Sequence, residues 1–437
     1  MPTEMLFANS AVRSVTASAP VRLHRQANIG FGGETSDASA RGMRVALFSG
    51  NYNCVRDGAN KALNRLVGHL LARGAAVRVY SPAIAEPAFP ATGDLVPVRS
   101  FAIPGRSEYR VALGLPRSTR DDIMAFQPNI VHLSAPDPLG WQAKRFAHKL
   151  GIPVVASLHT RFETYLSYYG LDMFRPAAER YLTGFYNDCD FALAPNQYLA
   201  DELAAGGLGS RARIWGRGVD RTLFSPTRRD VAWRREQGFG DDEIVLLFFG
   251  RLVVEKGTEI FAAVVDALRA RGHKVRALLV GEGPMREKLT ASLGDAVFTG
   301  HLEDAALARA VASADILINP SATEAFGNVN LEAMAAGLAI VSADVPSASA
   351  LIENGRSGML VPADDIEAYT DAVAQLMQND ERRLRLGADA CTASARFDWP
   401  TALDAVIETY ALTGAAGYDA AAIEHGAQMT KGVSRAA

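Results

Sequence analysis

No stretch of the chain approaches the roughly 18 consecutive apolar residues that a bilayer-spanning helix needs. Apolar runs such as Ile244 to Gly250 and Ala277 to Gly281 have the length of strands. An integral membrane protein is therefore excluded, while contact with a membrane surface stays open. Cysteine is scarce: Cys54, Cys189 and Cys391 lie far apart and are odd in number. They make neither a disulfide framework nor a zinc site, which fits a reducing, cytoplasmic location. An excess of one charge is also lacking. Lys and Arg number 45 against 48 Asp and Glu, a net charge of −3 that does not mark a nucleic-acid binder. A dinucleotide fingerprint is missing as well. The loop from Gly50 to Gly58 has no G-x-G-x-x-G, and Val79-Tyr80-Ser81 ends without a carboxylate for a ribose 2′-hydroxyl. A nicotinamide enzyme is disfavoured on both counts. Residues 1–42 are rich in Ser, Ala, Gly and Arg, show no period and lack the apolar segment of a signal peptide. They read as a disordered extension.

What is present is ordinary for a folded protein: 49% hydrophobic residues in a chain of 437. From Met43 onward, continuous apolar strands alternate with helical stretches. The first is Met43 to Ser49, followed by a helix from Asn60 to Arg73 and a strand from Ala76 to Tyr80. Strands follow at Ile130–Leu133, Val154–His159, Phe191–Ala194 and Ile214–Gly216. Gly218 to Arg229 reads as a linker. The alternation then restarts with Ile244–Phe249, Val275–Val280, Val297–Phe298, Ile316–Ile318 and Ala339–Val341. Such a pattern predicts two doubly wound α/β domains with parallel sheets covered on both faces, residues 43–222 and 223–395. Trp399, Leu403, Val406, Ile407 and Tyr410 recur at helical spacing. A helix over 396–412 is expected to pack back on the first domain, with 413–437 as a flexible tail.

Open α/β sheets bind ligands beyond the carboxyl ends of their strands. The loops there carry the chemistry. Asp57-Gly58-Ala59-Asn60 offers bare backbone N–H groups at a helix start, for an anion or simply as a helix cap. Arg251 and Lys256 leave the tip of the first strand of the second domain. A fork of donors beside a point charge suits a diphosphate, though such a pair alone also fits a solvated basic loop. Glu324 lies in a loop and Glu332 eight residues later in a helix, with Phe326-Gly327-Asn328 between them. A loop carboxylate can accept from sugar hydroxyls and a helical one from a ribose, with a diphosphate on the positive helix end. Singly, two glutamates at this spacing are usually solvated.

Taken together these residues resemble the GT-B fold of the retaining glycosyltransferase family 4. The resemblance rests on E-x7-E (Glu324, Glu332), G-R-x4-K-G (Arg251, Lys256), Gly281-Glu282-Gly283-Pro284, Gly218-Val219-Asp220 and His159 at a strand end. It covers residues 43 to about 412. It implies that the second domain binds a nucleotide sugar. Arg251 and Lys256 would hold the diphosphate, Glu324 the donor sugar and Glu332 the ribose. Gly281, Phe298 and Gly300 would shape the base pocket, with Phe326, Gly327 and Asn328 lining the donor site. Gly58 and His159 would reach the donor from the first domain, His159 towards the sugar; outside that setting His159 reads as structural. No covalent nucleophile stands out, and the family's favoured proposal is front-face attack with the leaving phosphate accepting the proton.

No cofactor and no metal are expected. Asp188-Cys189-Asp190 has the D-x-D pattern but precedes a buried-looking strand, away from the donor motifs. The segments Pro104–Pro116 and His159–Gly170 resemble GDP-mannose-dependent mannosyltransferases and sulfoquinovosyl- or glucuronosyl-lipid synthases. The leading expectation is mannose moved from GDP-mannose to a lipid or glycan acceptor, with UDP-glucose or UDP-glucuronate as rival donors. A sugar-nucleotide epimerase and a non-catalytic sugar-nucleotide binder are the other classes. Arg99, Arg106, Arg110, Arg117 and Arg120, interleaved with Phe101, Tyr109 and Leu113, read as a basic, apolar loop. It could meet the inner face of a membrane or an anionic acceptor, or be merely solvated. Arg161, Tyr165, Tyr168 and Tyr169 could stack on a sugar or line a lipid entry.

Overall fold

Apolar runs flanked by amphipathic helices become central parallel strands, because both faces of such a strand must be covered. The structure, a computed structural model, describes residues 39–103, 106–159 and 172–414. Residues 1–38 and 415–437, together with Arg161, Tyr165, Tyr168 and Tyr169, lie outside the described residues. The strands are β1 (Arg44–Phe48), β2 (Ala76–Ser81), β3 (Asp94–Pro97), β4 (Ser100–Ile103), β5 (Arg106–Ala112), β6 (Ile130–Leu133), β7 (Val154–Ser157), β8 (Phe191–Ala194) and β9 (Ala212–Ile214). The second set is β10 (Val245–Phe249), β11 (Arg276–Val280), β12 (Val297–Gly300), β13 (Ile316–Asn319), β14 (Ala339–Ala343) and β15 (Met359–Val361). Seven strands form a parallel sheet in the order β3-β2-β1-β6-β7-β8-β9, and six form another in the order β12-β11-β10-β13-β14-β15. The strand order reverses between β1 and β6 in one sheet and between β10 and β13 in the other. Loops diverge at those points and leave a crevice.

The helix Gly58–Ala72 shows how local sequence builds this frame. Leu63, Leu66, Val67 and Leu70 bury one face against β1 and β2, and the Asp57 side chain caps the start by accepting from the Asn60 N–H at 2.8 Å. The helix Trp399–Leu412 returns to the same core, where Leu403, Val406, Ile407 and Tyr410 pack with Leu47 and Val155. Each such side chain contributes roughly 1.5–3 kcal/mol on burial, so the return is firmly held. Asp404 of that helix adds a hydrogen bond with His69 Nε2 at 2.6 Å.

Three expectations need correction. Residues 99–120 are not a loop: β4 and β5 pair as an antiparallel hairpin, and Arg117–Phe126 is a helix. The linker at 218–229 is not merely a connection, because Val219 and Phe224 are buried in the second core. The strand before His159 stops at Ser157, which leaves the histidine beyond the sheet edge. No helix among the described residues is long and apolar enough to cross a membrane.

Candidate active site

Both switch points open on the same cleft. Gly58 follows β1, Arg251 and Lys256 follow β10, and the segment from Glu324 to Asn328 follows β13. Lys256 Nζ is ion-paired with Glu324 Oε1, each about one-fifth exposed. The two loops are also tied through backbone: Ser321 Oγ and Thr323 Oγ1 both donate to the Glu255 carbonyl, at 3.5 and 3.4 Å. Arg251 extends into solvent, 44% exposed and 3.9 Å from Glu255. A cation held by a carboxylate beside a freer cation can receive a dianionic group without leaving either charge stranded.

Gly58 faces Asn328 across the cleft. A Cβ at Gly58 would stand 2.5 Å from Asn328 Nδ2, so the two domains meet here only because the side chain is absent. Gly281 is fixed by a similar constraint: its φ is +143°, and a Cβ would fall 1.9 Å from the Gly250 carbonyl oxygen. Gly327 opens the helix Asn328–Ala335 in the left-handed region. Glu332 sits within that helix, partly buried. Burial pushes its carboxyl up to about 7, against the pull of Lys61 and Arg65 from the first domain. Phe298 lies under the Arg286 guanidinium, 5.7 Å from its ring centre, and Arg286 pairs with Glu282. Phe326 is buried and meets Phe397 edge-on at 6.3 Å.

On the first domain, His159 is part of a buried chain of hydrogen bonds. Arg217 Nη2 can only donate, so His159 Nδ1 accepts from it at 2.7 Å and the ring hydrogen resides on Nε2. That hydrogen is given to Ser157 Oγ at 2.8 Å. Tyr410 in turn donates to His132 Nδ1 at 2.7 Å, and His132 Nε2 donates to Ser157 Oγ at 3.0 Å. Ser157 passes its own hydrogen to the Leu133 carbonyl at 3.5 Å, and every hydrogen has an acceptor. Burial, with the Arg217 charge and His132 adding to it, holds His159 well below its ordinary value. Burial alone lowers His132 to about 3. Both rings are neutral, and both nitrogens of His159 are engaged within the protein.

Several site residues escaped the reading of spacings. Asn330 joins Asn319 at 2.9 Å and Ser342 at 3.0 Å in a buried network that locks the helix after β13 to β14. Asn196 donates to the Ala325 carbonyl at 2.8 Å and so holds the Glu324 loop from the opposite domain. Arg56 reaches across to Glu303 at 2.5 Å. The D-x-D carboxylates are in structural use: Asp188 pairs with Lys144 at 3.1 Å, and Asp190 accepts from the Val154 N–H at 2.7 Å. Of the arginine cluster, Arg110 is bound to the Ser100 carbonyl at 3.1 Å and Arg120 to the Leu115 carbonyl at 3.0 Å. Arg99 and Arg117 are exposed, and the side chain of Arg106 lies outside the described residues.

The profile described as Glycosyltransferase Family 4 matches residues 56–223, and that of Glycosyl transferases group 1 matches 243–379. A GDP-mannose-dependent alpha-mannosyltransferase of Mycolicibacterium smegmatis is 33% identical over 373 residues, spanning 84% of this chain and 97% of that protein. The chain belongs to glycosyltransferase family 4. A sulfoquinovosyl transferase of Arabidopsis thaliana is 30% identical over 312 residues, 70% of this chain and 60% of the other. Among solved structures, Anabaena HepE in complex with UDP and glucose superimposes on the enzyme with a TM-score of 0.66 at 20% identity, covering 84% of this chain and 99% of HepE. Sucrose-phosphate synthase of Thermosynechococcus elongatus gives 0.64 at 19%, over 86% and 100%. These likenesses establish the GT-B fold of this glycosyltransferase.

Proposed function

We propose that this family 4 enzyme is a retaining, metal-independent hexosyltransferase that moves mannose from GDP-mannose to a lipid or glycan acceptor. The observation that carries the reading is the meeting of Lys256, Arg251 and Glu324 at paired switch points, with Gly58 opposite. The name of the mannosyltransferase relative at 33% identity supports the donor assignment. Arg251 and Lys256 take the diphosphate, and Lys256 then shares its charge between Glu324 and the leaving phosphate. Glu324 accepts from the donor sugar hydroxyls and Glu332 from the ribose. The base lies against Phe298 and the loop opened by Gly281. Phe326, Gly327 and Asn328 bring the positive helix end to the phosphates.

The hard step is departure of the nucleoside diphosphate as an oxocarbenium-like sugar forms. Charge already fixed at the leaving group lowers that barrier, and it makes a metal unnecessary in this reading. The acceptor oxygen bonds to the anomeric carbon on the face the phosphate leaves, and its proton passes to the departing phosphate oxygen. His159, neutral and doubly hydrogen-bonded, forms a wall of the sugar subsite and transfers no proton. A lipid acceptor is supported by Phe101 and Leu113, exposed beside Arg99 and Arg117 on the hairpin side of the first domain. The test is incubation with GDP-mannose and a bacterial lipid extract, followed by NMR of the product. An α-mannosyl product is expected. A β-linked product contradicts retention, and nucleotide with free sugar but no acceptor product points to an epimerase-like hydrolase.

A further inference from the structure

Among the described residues three cations are deeply buried: Arg234 at 1%, Lys144 at 3% and Arg217 at 5% exposure. Two have a carboxylate. Arg234 pairs with Asp315 at 3.1 Å and Lys144 with Asp188 at 3.1 Å. Arg217 has none. Its Nη1 donates to the carbonyls of Trp215 and Gly216, at 3.0 and 2.9 Å, its Nη2 to neutral His159, and its guanidinium stacks on Trp215. A buried cation held only by carbonyls, an imidazole and a ring is short of a counterion.

Arg217 lines a cavity of about 470 Å³ between the domains, a size typical of small-molecule sites. Its wall includes Phe326, two residues from Glu324, so the cavity adjoins the donor-sugar position. Arg396 and Arg356 line it too. Two carboxylates share the lining: Glu353 pairs with Arg356 at 3.2 Å and acts on Arg396, and Asp398 accepts from the Thr401 N–H at 2.9 Å, while neither is bonded to Arg217. Arg396 Nη2 makes one bond there, to the Leu351 carbonyl at 3.0 Å. We propose that this cavity is the acceptor subsite and that Arg217, with Arg396 at its rim, binds an oxyanion carried by the acceptor, a phosphate or a carboxylate. The occupant's role as acceptor rests on the transferase reading; the anion site itself does not.

Inorganic phosphate and glycerol 3-phosphate are the probes, read by the shift in melting temperature of the full chain. The Lys256→Ala variant, which disables the diphosphate loop, should keep the phosphate response, and Arg217→Gln should weaken it roughly tenfold. A response undiminished in Arg217→Gln overturns the proposal. So does a response abolished by saturating GDP-mannose, since the anion would then occupy the donor site. Glycerol 3-phosphate should act at lower concentration than phosphate, because its hydroxyls use the remaining space. The reverse order would assign the cavity to a free effector and overturn the acceptor role. Should Arg217→Gln prove unfolded, Arg396→Gln must weaken the response several-fold, and an unchanged response counts against the site. Absence of any nucleotide-sugar binding would sink the transferase reading yet leave the phosphate result standing.

Discussion

The two walls of the cleft are built on different principles. The wall from the second domain is charged and local. Arg251 and Lys256 leave one strand tip, Glu324 and Glu332 leave another, and the main ion pair joins Lys256 to Glu324. The wall from the first domain centres on two neutral histidines and is assembled from distant segments, as the bond between Tyr410 and His132 across 278 residues illustrates. A charged wall can redistribute its bonds when a ligand arrives. A fully satisfied buried chain cannot do so without leaving a polar group unpaired. The contrast suits one wall that stabilises departing charge and another that holds shape.

The sharpest way to break this comparison is at Lys256. Lys256→Ala should lower turnover of a nucleotide sugar by about 10²–10³-fold, the usual cost of losing one preorganised donor. Thermal unfolding of the same variant should move little, because a partly exposed ion pair is worth roughly 0–1 kcal/mol. Normal turnover would remove the charged wall from the mechanism. Next comes Asn330, which is structural within the charged wall. Asn330→Leu strands the Asn319 amide and the Ser342 hydroxyl, and should cost about 1–3 kcal/mol by denaturant unfolding. An unperturbed midpoint would show that the buried network is dispensable.

Glu332 gives a pH signature. Its carboxyl is raised from 4.5 to about 7, so the stability its proton confers is fully present below pH 4.5 and is lost as pH rises through 7. Melting temperatures of wild type and Glu332→Gln should therefore diverge between those values, with the variant relatively more stable at pH 8. Parallel curves would place the carboxylate in water. The smallest effect is expected at Gly58. The clash of a new Cβ is with the mobile amide end of Asn328, so Gly58→Ala should fold normally and lose activity by roughly tenfold through misplacement. Full activity would mean that the two walls need not meet there.

How much of this was legible follows from distance along the chain. The switch points and the charged wall are written in short spacings after apolar strands, and these can be read directly. The hairpin β4–β5 was hidden because Arg106, Glu108 and Arg110 interrupt any apolar run. Their appearance at every second position was the strand signal. Asn196 and Arg217 gave no local sign at all. Nothing in Trp215-Gly216-Arg217 announces that the guanidinium turns to a histidine 58 residues earlier, which only the fold brings beside it.

The charged wall is proposed to hold a nucleotide sugar, with GDP-mannose as the donor. Isothermal titration of GDP-mannose, UDP-glucose and UDP-glucuronate into the wild type and into Lys256→Ala tests it directly. The account predicts that GDP-mannose binds the wild type at least about tenfold more tightly than either UDP-sugar, a difference of roughly 1.4 kcal/mol, and that Lys256→Ala loses most of that affinity. Binding of no nucleotide sugar, or binding indifferent to Lys256, would contradict it.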